Sequence, residues 1–65
     1  MKLNKETKQF LEIGVVLHQD NGIEYTITDI YRNGRCMNIT TISSESQTHI
    51  YFQPVSSYYG LEMIL

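Results

Sequence analysis

The chain has no tryptophan, one proline and one cysteine among its 65 residues. Cys36 alone excludes an intrachain disulfide. A domain this small buries only roughly 60% of the surface its unfolded chain exposes, and such scaffolds lean on disulfides, metals or oligomerisation. What remains here is a well-packed core, a partner, or both. A lone thiol fits a reducing compartment.

Long hydrophobic runs are lacking too. The longest, around Val15-Val16-Leu17 and Met63-Ile64-Leu65, fall far short of the roughly 20 residues a membrane helix needs. The charged start, Met1-Lys2-Leu3-Asn4-Lys5-Glu6, has no apolar stretch of the kind a signal peptide carries. The expectation is a soluble, cytoplasmic protein with no membrane partner, in which the Asn38-Ile39-Thr40 sequon has no meaning.

Positive charge is scarce beyond the first residues. Lys2, Lys5 and Lys8 with Glu6 give residues 1–11 a balance of +2, whereas Arg32 and Arg35 against Glu12, Asp20, Glu24, Asp29, Glu45 and Glu62 give the rest −4. Phosphate backbones demand Lys and Arg, so nonspecific nucleic-acid binding by the body is disfavoured. The three lysines share a side of a short helix, which is either a solvated face or a contact for an acidic partner or phosphate.

Catalytic and metal-binding patterns are missing as well. His18 and His49 fall on separate predicted strands, with no Ser-His-Asp or Cys-His arrangement and no paired carboxylates. Metal sites show ligands paired at short spacing, and this chain has none. No catalytic, metal or cofactor residue is assigned, and the expectation is a protein that is not an enzyme. Cys36 beside Arg35 could be a reactive thiol; the favoured reading is a small apolar strand residue.

What the sequence does have is turn signals roughly every ten residues, the spacing of a small all-β sandwich or barrel. Residues 4–12 are the exception. Leu3, Thr7, Phe10 and Leu11 fall at helical spacing, with Asn4 to cap the start and Gly14 to end it. Strands fill residues 13–65. Ile13 to His18 begins the first, and Asp20-Asn21-Gly22 turns it. Ile23, Tyr25 and Ile27 then alternate with polar residues until Asp29 and Ile30 slip phase, which predicts a bulge.

Asn33-Gly34 predicts a tight type I′ hairpin. Cys36 to Ser43 carries Met37 and Ile39 on one face and Ile42 out of phase, so it should bend. Ser44 to Gln47 turns the chain. Thr48 to Gln53 sets Ile50 and Phe52 opposite His49 and Tyr51, and Pro54 ends the strand for want of a ladder donor. Val55 to Tyr58 forms one helical turn. Gly60 to Leu65 closes the chain, with Leu61, Met63 and Leu65 on one face and Glu62 and Ile64 on the other.

The fold expected is therefore one mostly β domain over 1–65. It is a five-stranded antiparallel SH3-like barrel or a strongly bent sheet, with one short N-terminal helix. Pairing of the last strand with the first would bury its apolar face and remove sheet edges. Ile64 would be left for Phe10 and Leu11 of the helix, or a second chain, to cover. Self-association through Met63, Ile64 and Leu65 is expected on these grounds.

Five tyrosines stand out in so short a chain. Tyr25 reads as core. Tyr31, Arg32 and Arg35 gather about one hairpin, and Tyr58 and Tyr59 precede the last strand. Tyrosine and arginine are the residues of interface hot spots, although tyrosine also favours strands for packing reasons alone. If the hairpin cluster is an interface, Tyr31→Ala with Arg32→Ala leaves the melting temperature nearly unchanged.

Cys36-Met37-Asn38-Ile39, followed by Tyr59-Gly60-Leu61-Glu62-Met63-Ile64, faintly resembles the two half-motifs of Sm-like RNA-binding barrels. The resemblance covers about the second half of the chain. It implies a ring-forming barrel that starts with a short helix, with Asn38 at the base-reading position. The chain departs from it at Gly34, where the family has an acidic residue, and at Tyr59, where it has a basic one. The leading expectation is a non-enzymatic protein-interaction module, an inhibitor or adaptor of the kind phages and other mobile elements encode. The alternative is a small Sm-like or SH3-like barrel binding nucleic acid through Arg32, Arg35, Asn38 and the tyrosines.

Overall fold

A computed structural model describes residues 1–65. Five antiparallel strands, β1 (Val16–His18), β2 (Glu24–Tyr31), β3 (Cys36–Ile42), β4 (Gln47–Pro54) and β5 (Glu62–Ile64), form one sheet in the order β4-β3-β2-β1-β5. The last strand pairs with the first, as its alternation demands: Leu17 lies opposite Met63, and Val16 opposite Ile64. The sheet is not closed into a barrel. β4 and β5 are its two edges, and no ladder joins them.

The chain start stands where closure would have to occur. Lys2 bridges Glu62, Leu3 N–H donates to Leu61 O at 2.8 Å, and Met63 N–H donates to Met1 O at 2.7 Å. Residues 1–3 thus cover the outer edge of β5, and the edge-strand problem is met by lining that edge instead of joining it to β4.

No N-terminal α-helix forms over 4–12. The segment holds a four-residue 3₁₀ turn, Thr7–Phe10. Asn4 does act as the expected cap, its Oδ1 accepting the N–H groups of Glu6 at 2.8 Å and Thr7 at 2.9 Å. The helix fails because its flanks are committed elsewhere. Leu3 is drawn into the β5 edge and Leu11, in extended conformation, into the core. A nine-residue helix is marginal without packing of its own. Without it Ile64 lacks a helical cover and is 49% exposed.

One face of the sheet carries the core, made of Leu3, Leu11, Leu17, Ile27, Met37, Ile39, Val55 and Met63. Val55 comes from a 3₁₀ turn, Val55–Tyr58, that leads from β4 toward β5. The same turn sets Tyr58 edge-on to Tyr25, with centroids 5.3 Å apart.

Two register shifts bend the ladder. That in β2, between Ile27 and Asp29, is the bulge the phase slip predicts, and it falls at Thr28. The other lies between β3 and β4, where Met37 faces Gln53 and Ile39 faces Ile50. Tyr51 and Phe52 therefore both stand opposite Asn38. The expected irregularity at Ile42 is not the one that forms: Ile42 stays in register with Glu24 and Gln47. Nor does Phe52 share the core face with Ile50. It leaves that face and is 54% exposed.

Candidate binding surface

Both bulges meet at one side chain. Asp29 pairs with Asn38 across β2 and β3, and Tyr51 and Phe52 face it from β4. Asn38 is 8% exposed, and both ends of its amide are bonded. Nδ2 donates to Asp29 Oδ2 at 3.2 Å and to the Tyr31 hydroxyl at 2.8 Å, while Oδ1 accepts the Phe52 N–H at 2.8 Å. A carboxamide has two donor hydrogens. Both are used within the fold. The role of Asn38 is to hold the two bulged strands in place.

Above this network lies an aromatic pair. Tyr31 and Phe52 stack with centroids 5.4 Å apart and planes 10° from parallel, and the Arg32 guanidinium stands 5.3 Å from the Phe52 centroid. Phe52 has φ +57°. For a bulky residue that conformation is a true outlier, and such strain persists only where the surroundings enforce it. Burial does not offset it, since the ring faces solvent.

The β2–β3 connection supplies the arginines. Asn33 and Gly34 have positive φ, and Arg35 N–H donates to Arg32 O at 3.2 Å, the expected type I′ pattern. Arg32 is left-handed as well, at φ +53°, so the ladder stops at Tyr31 and Cys36 and the loop has four residues. Tyr31 is 37% exposed but bonds Asn38. It is therefore part of the support as well as of the surface.

The other expected residues divide. Arg35 and Tyr59 line one hollow together with Lys8 and Cys36. Tyr58 is turned inward, its hydroxyl donating to Gln53 Oε1 at 3.2 Å. Burial, and next the neighbouring Tyr25, push its pKa above the ordinary tyrosine value. Met63 is a core residue, 3% exposed, and closed to a partner, whereas Ile64 and Leu65 are open. His49 Nδ1 lies 2.9 Å from the buried Thr40 hydroxyl, and His18 Nδ1 lies 3.5 Å from Glu24. No three His, Cys, Asp or Glu side chains converge as a metal site would require.

Phe52 is the residue that sequence reasoning misses. The alternation Ile50, Phe52 reads as an unbroken core face, and nothing local announces the bulge. Only the partner strand, with a polar Asn38 between Met37 and Ile39, holds a hint.

Fold and surface together define a small open antiparallel sheet that displays a braced aromatic pair beside arginine. No protein-family profile matches the chain, and no curated protein or solved structure matches it either. No helix is long and apolar enough to cross a membrane.

Proposed function

We propose that the chain is a non-enzymatic protein-interaction module, an inhibitor or adaptor in its mode of action, whose contact surface centres on Phe52, Tyr31 and Arg32. The observation that carries this reading is a strained, half-exposed Phe52 braced from beneath by an Asn38 bonded at both ends of its amide. Aromatic residues and arginine dominate the binding energy of interfaces, and an anchor fixed before binding loses less entropy on docking.

Capture experiments from the native host test it, with wild type compared against Arg32→Ala and Phe52→Ala. The expected result is loss of the same co-purifying protein from both variants, each keeping its circular dichroism spectrum and a cooperative melt. Retention of that protein by both variants would remove the reading. Tyr31 is not the residue to test, because its hydroxyl accepts from Asn38. Self-association remains a proposal resting on Ile64 and Leu65 alone, and sedimentation showing a monomer at high concentration would remove it.

A further inference from the structure

We propose that the segment this surface receives is acidic: a short stretch of a partner protein with several carboxylates around one apolar residue. This rests on the reading of Phe52 as an anchor and adds the chemistry of what docks beside it.

The strand order separates charge along the sheet. The β2–β3 loop lies at one end, while the β1–β2 loop, the β3–β4 loop and the start of β5 lie at the other. Asp20, Glu24, Glu45 and Glu62 belong to the far end. Of the five Lys and Arg residues, only Lys2 is found there, paired with Glu62 through its backbone. Lys5 and Lys8 are carried to the near end by the 3₁₀ turn, where they line an open hollow with Asn33 and Gly34 of the loop that bears Arg32 and Arg35. Lys8 also lines the adjoining hollow with Arg35 and Tyr59. Four cations thus surround one loop, with Glu6 in the hollow and Asp29 under Tyr31; the seventh carboxylate, Glu12, lies between the 3₁₀ turn and β1.

None of these four cations is in an ion pair. The ion pairs of the molecule, Met1 with Glu62 and His18 with Glu24, both lie at the far end. A surface with unpaired charge of one sign steers and selects a partner of the opposite sign.

The footprint favours a peptide over a nucleic acid. A long polyanion tracking the molecule would run onto its acidic far end. Base recognition beside Phe52 would meet Asp29 and an Asn38 amide with no hydrogen to give. A short acidic segment needs only the near end: its carboxylates would lie in the hollows of Lys5, Lys8 and Arg35, and it would pass over the loop to Arg32, which stands against Phe52.

Fluorescence anisotropy with three labelled probes tests this: a short Glu-rich peptide with a central Leu, the same peptide with Lys for every Glu, and an oligothymidylate of matched charge. Saturable binding of the acidic peptide at low ionic strength is expected, weakened by added salt. It should weaken roughly tenfold in Lys5→Glu with Lys8→Glu, as two reversed surface pairs imply. The lysine peptide should not bind, and the oligothymidylate should bind less tightly than the acidic peptide.

Tighter binding of the oligothymidylate would give the surface to nucleic acid and overturn the proposal. So would no saturable binding of the acidic peptide, or unchanged affinity in the lysine variant. Phe52→Ala keeps the two claims apart. Full affinity in that variant with loss in the lysine variant removes the aromatic anchor but leaves the preference for acid; the reverse removes the preference.

Discussion

Phe52 occupies a left-handed backbone conformation, φ +57°, that costs an L-residue roughly 1–2 kcal/mol and glycine almost nothing. Alanine at the same place keeps the strain and loses the contacts with Tyr31 and Arg32. Glycine loses the same contacts and relieves the strain. Phe52→Gly should therefore be more stable than Phe52→Ala by about 1 kcal/mol, as read from urea unfolding midpoints at equal slope. An alanine variant as stable as the glycine one would mean that the bulge relaxes and that Asn38 does not enforce it. Beneath it, Asn38→Ala leaves the Phe52 N–H without its acceptor, and the cost expected is about 1–3 kcal/mol. This is the scale at which the sequence was least readable. Asn38 takes a base-reading position only through the resemblance to Sm-like barrels, and its buried bonds to β2 and β4 depend on register, which no local pattern encodes.

At the scale of elements, sequence patterns that depend on neighbours in the chain were legible and those that depend on competition were not. The Thr28 bulge and the Asn33-Gly34 turn follow from alternation or turn chemistry within a few residues, and the β1–β5 pairing from the apolar face that the last strand has to bury. The helix over 4–12 did not form because Leu3 and Leu11 are bound by distant elements, and closure did not form because residues 1–3 occupy the β5 edge. That edge has an electrostatic consequence. A hydrogen bond from the Met1 ammonium, at 2.6 Å, holds the Glu62 carboxyl below its ordinary value, with the charges of the ammonium and Lys2 adding to it. A carboxyl whose pKa is lowered by folding contributes stability above its unfolded pKa, and that contribution disappears as pH falls through the folded value. Glu62→Gln should thus lower the melting temperature at neutral pH. In acid, below the folded pKa, the difference should vanish. An equal deficit at both ends of the range would show that the effect is steric and not one of charge. Tyr58 works in the opposite direction: its raised pKa contributes stability at neutral pH that is lost as pH climbs through the tyrosine range.

Across the whole molecule, ten of 65 residues are buried and eight of them are the apolar core. Natural domains have roughly 0.05–0.15 kcal/mol of stability per residue, so the loss of one core side chain consumes much of the total. Met63 and Ile64 are adjacent on β5 and face opposite ways, 3% and 49% exposed. Removing a buried methionine side chain costs about 2–5 kcal/mol, through lost burial and the cavity left behind. An exposed substitution away from special features stays within about 0.5 kcal/mol. Met63→Ala should therefore leave the chain largely unfolded or barely cooperative in thermal melts, while Ile64→Ala should melt near wild type. Deletion of Glu62 to Leu65 should be worse than either, because it strips Leu17 of its partner and frees residues 1–3 from the edge they line. If that shortened chain were to give a sharp melt and a single compact species by size-exclusion chromatography, β5 would be an appendage. The sheet would then stand on β1 to β4, and the place given to the chain start would have to be abandoned with it.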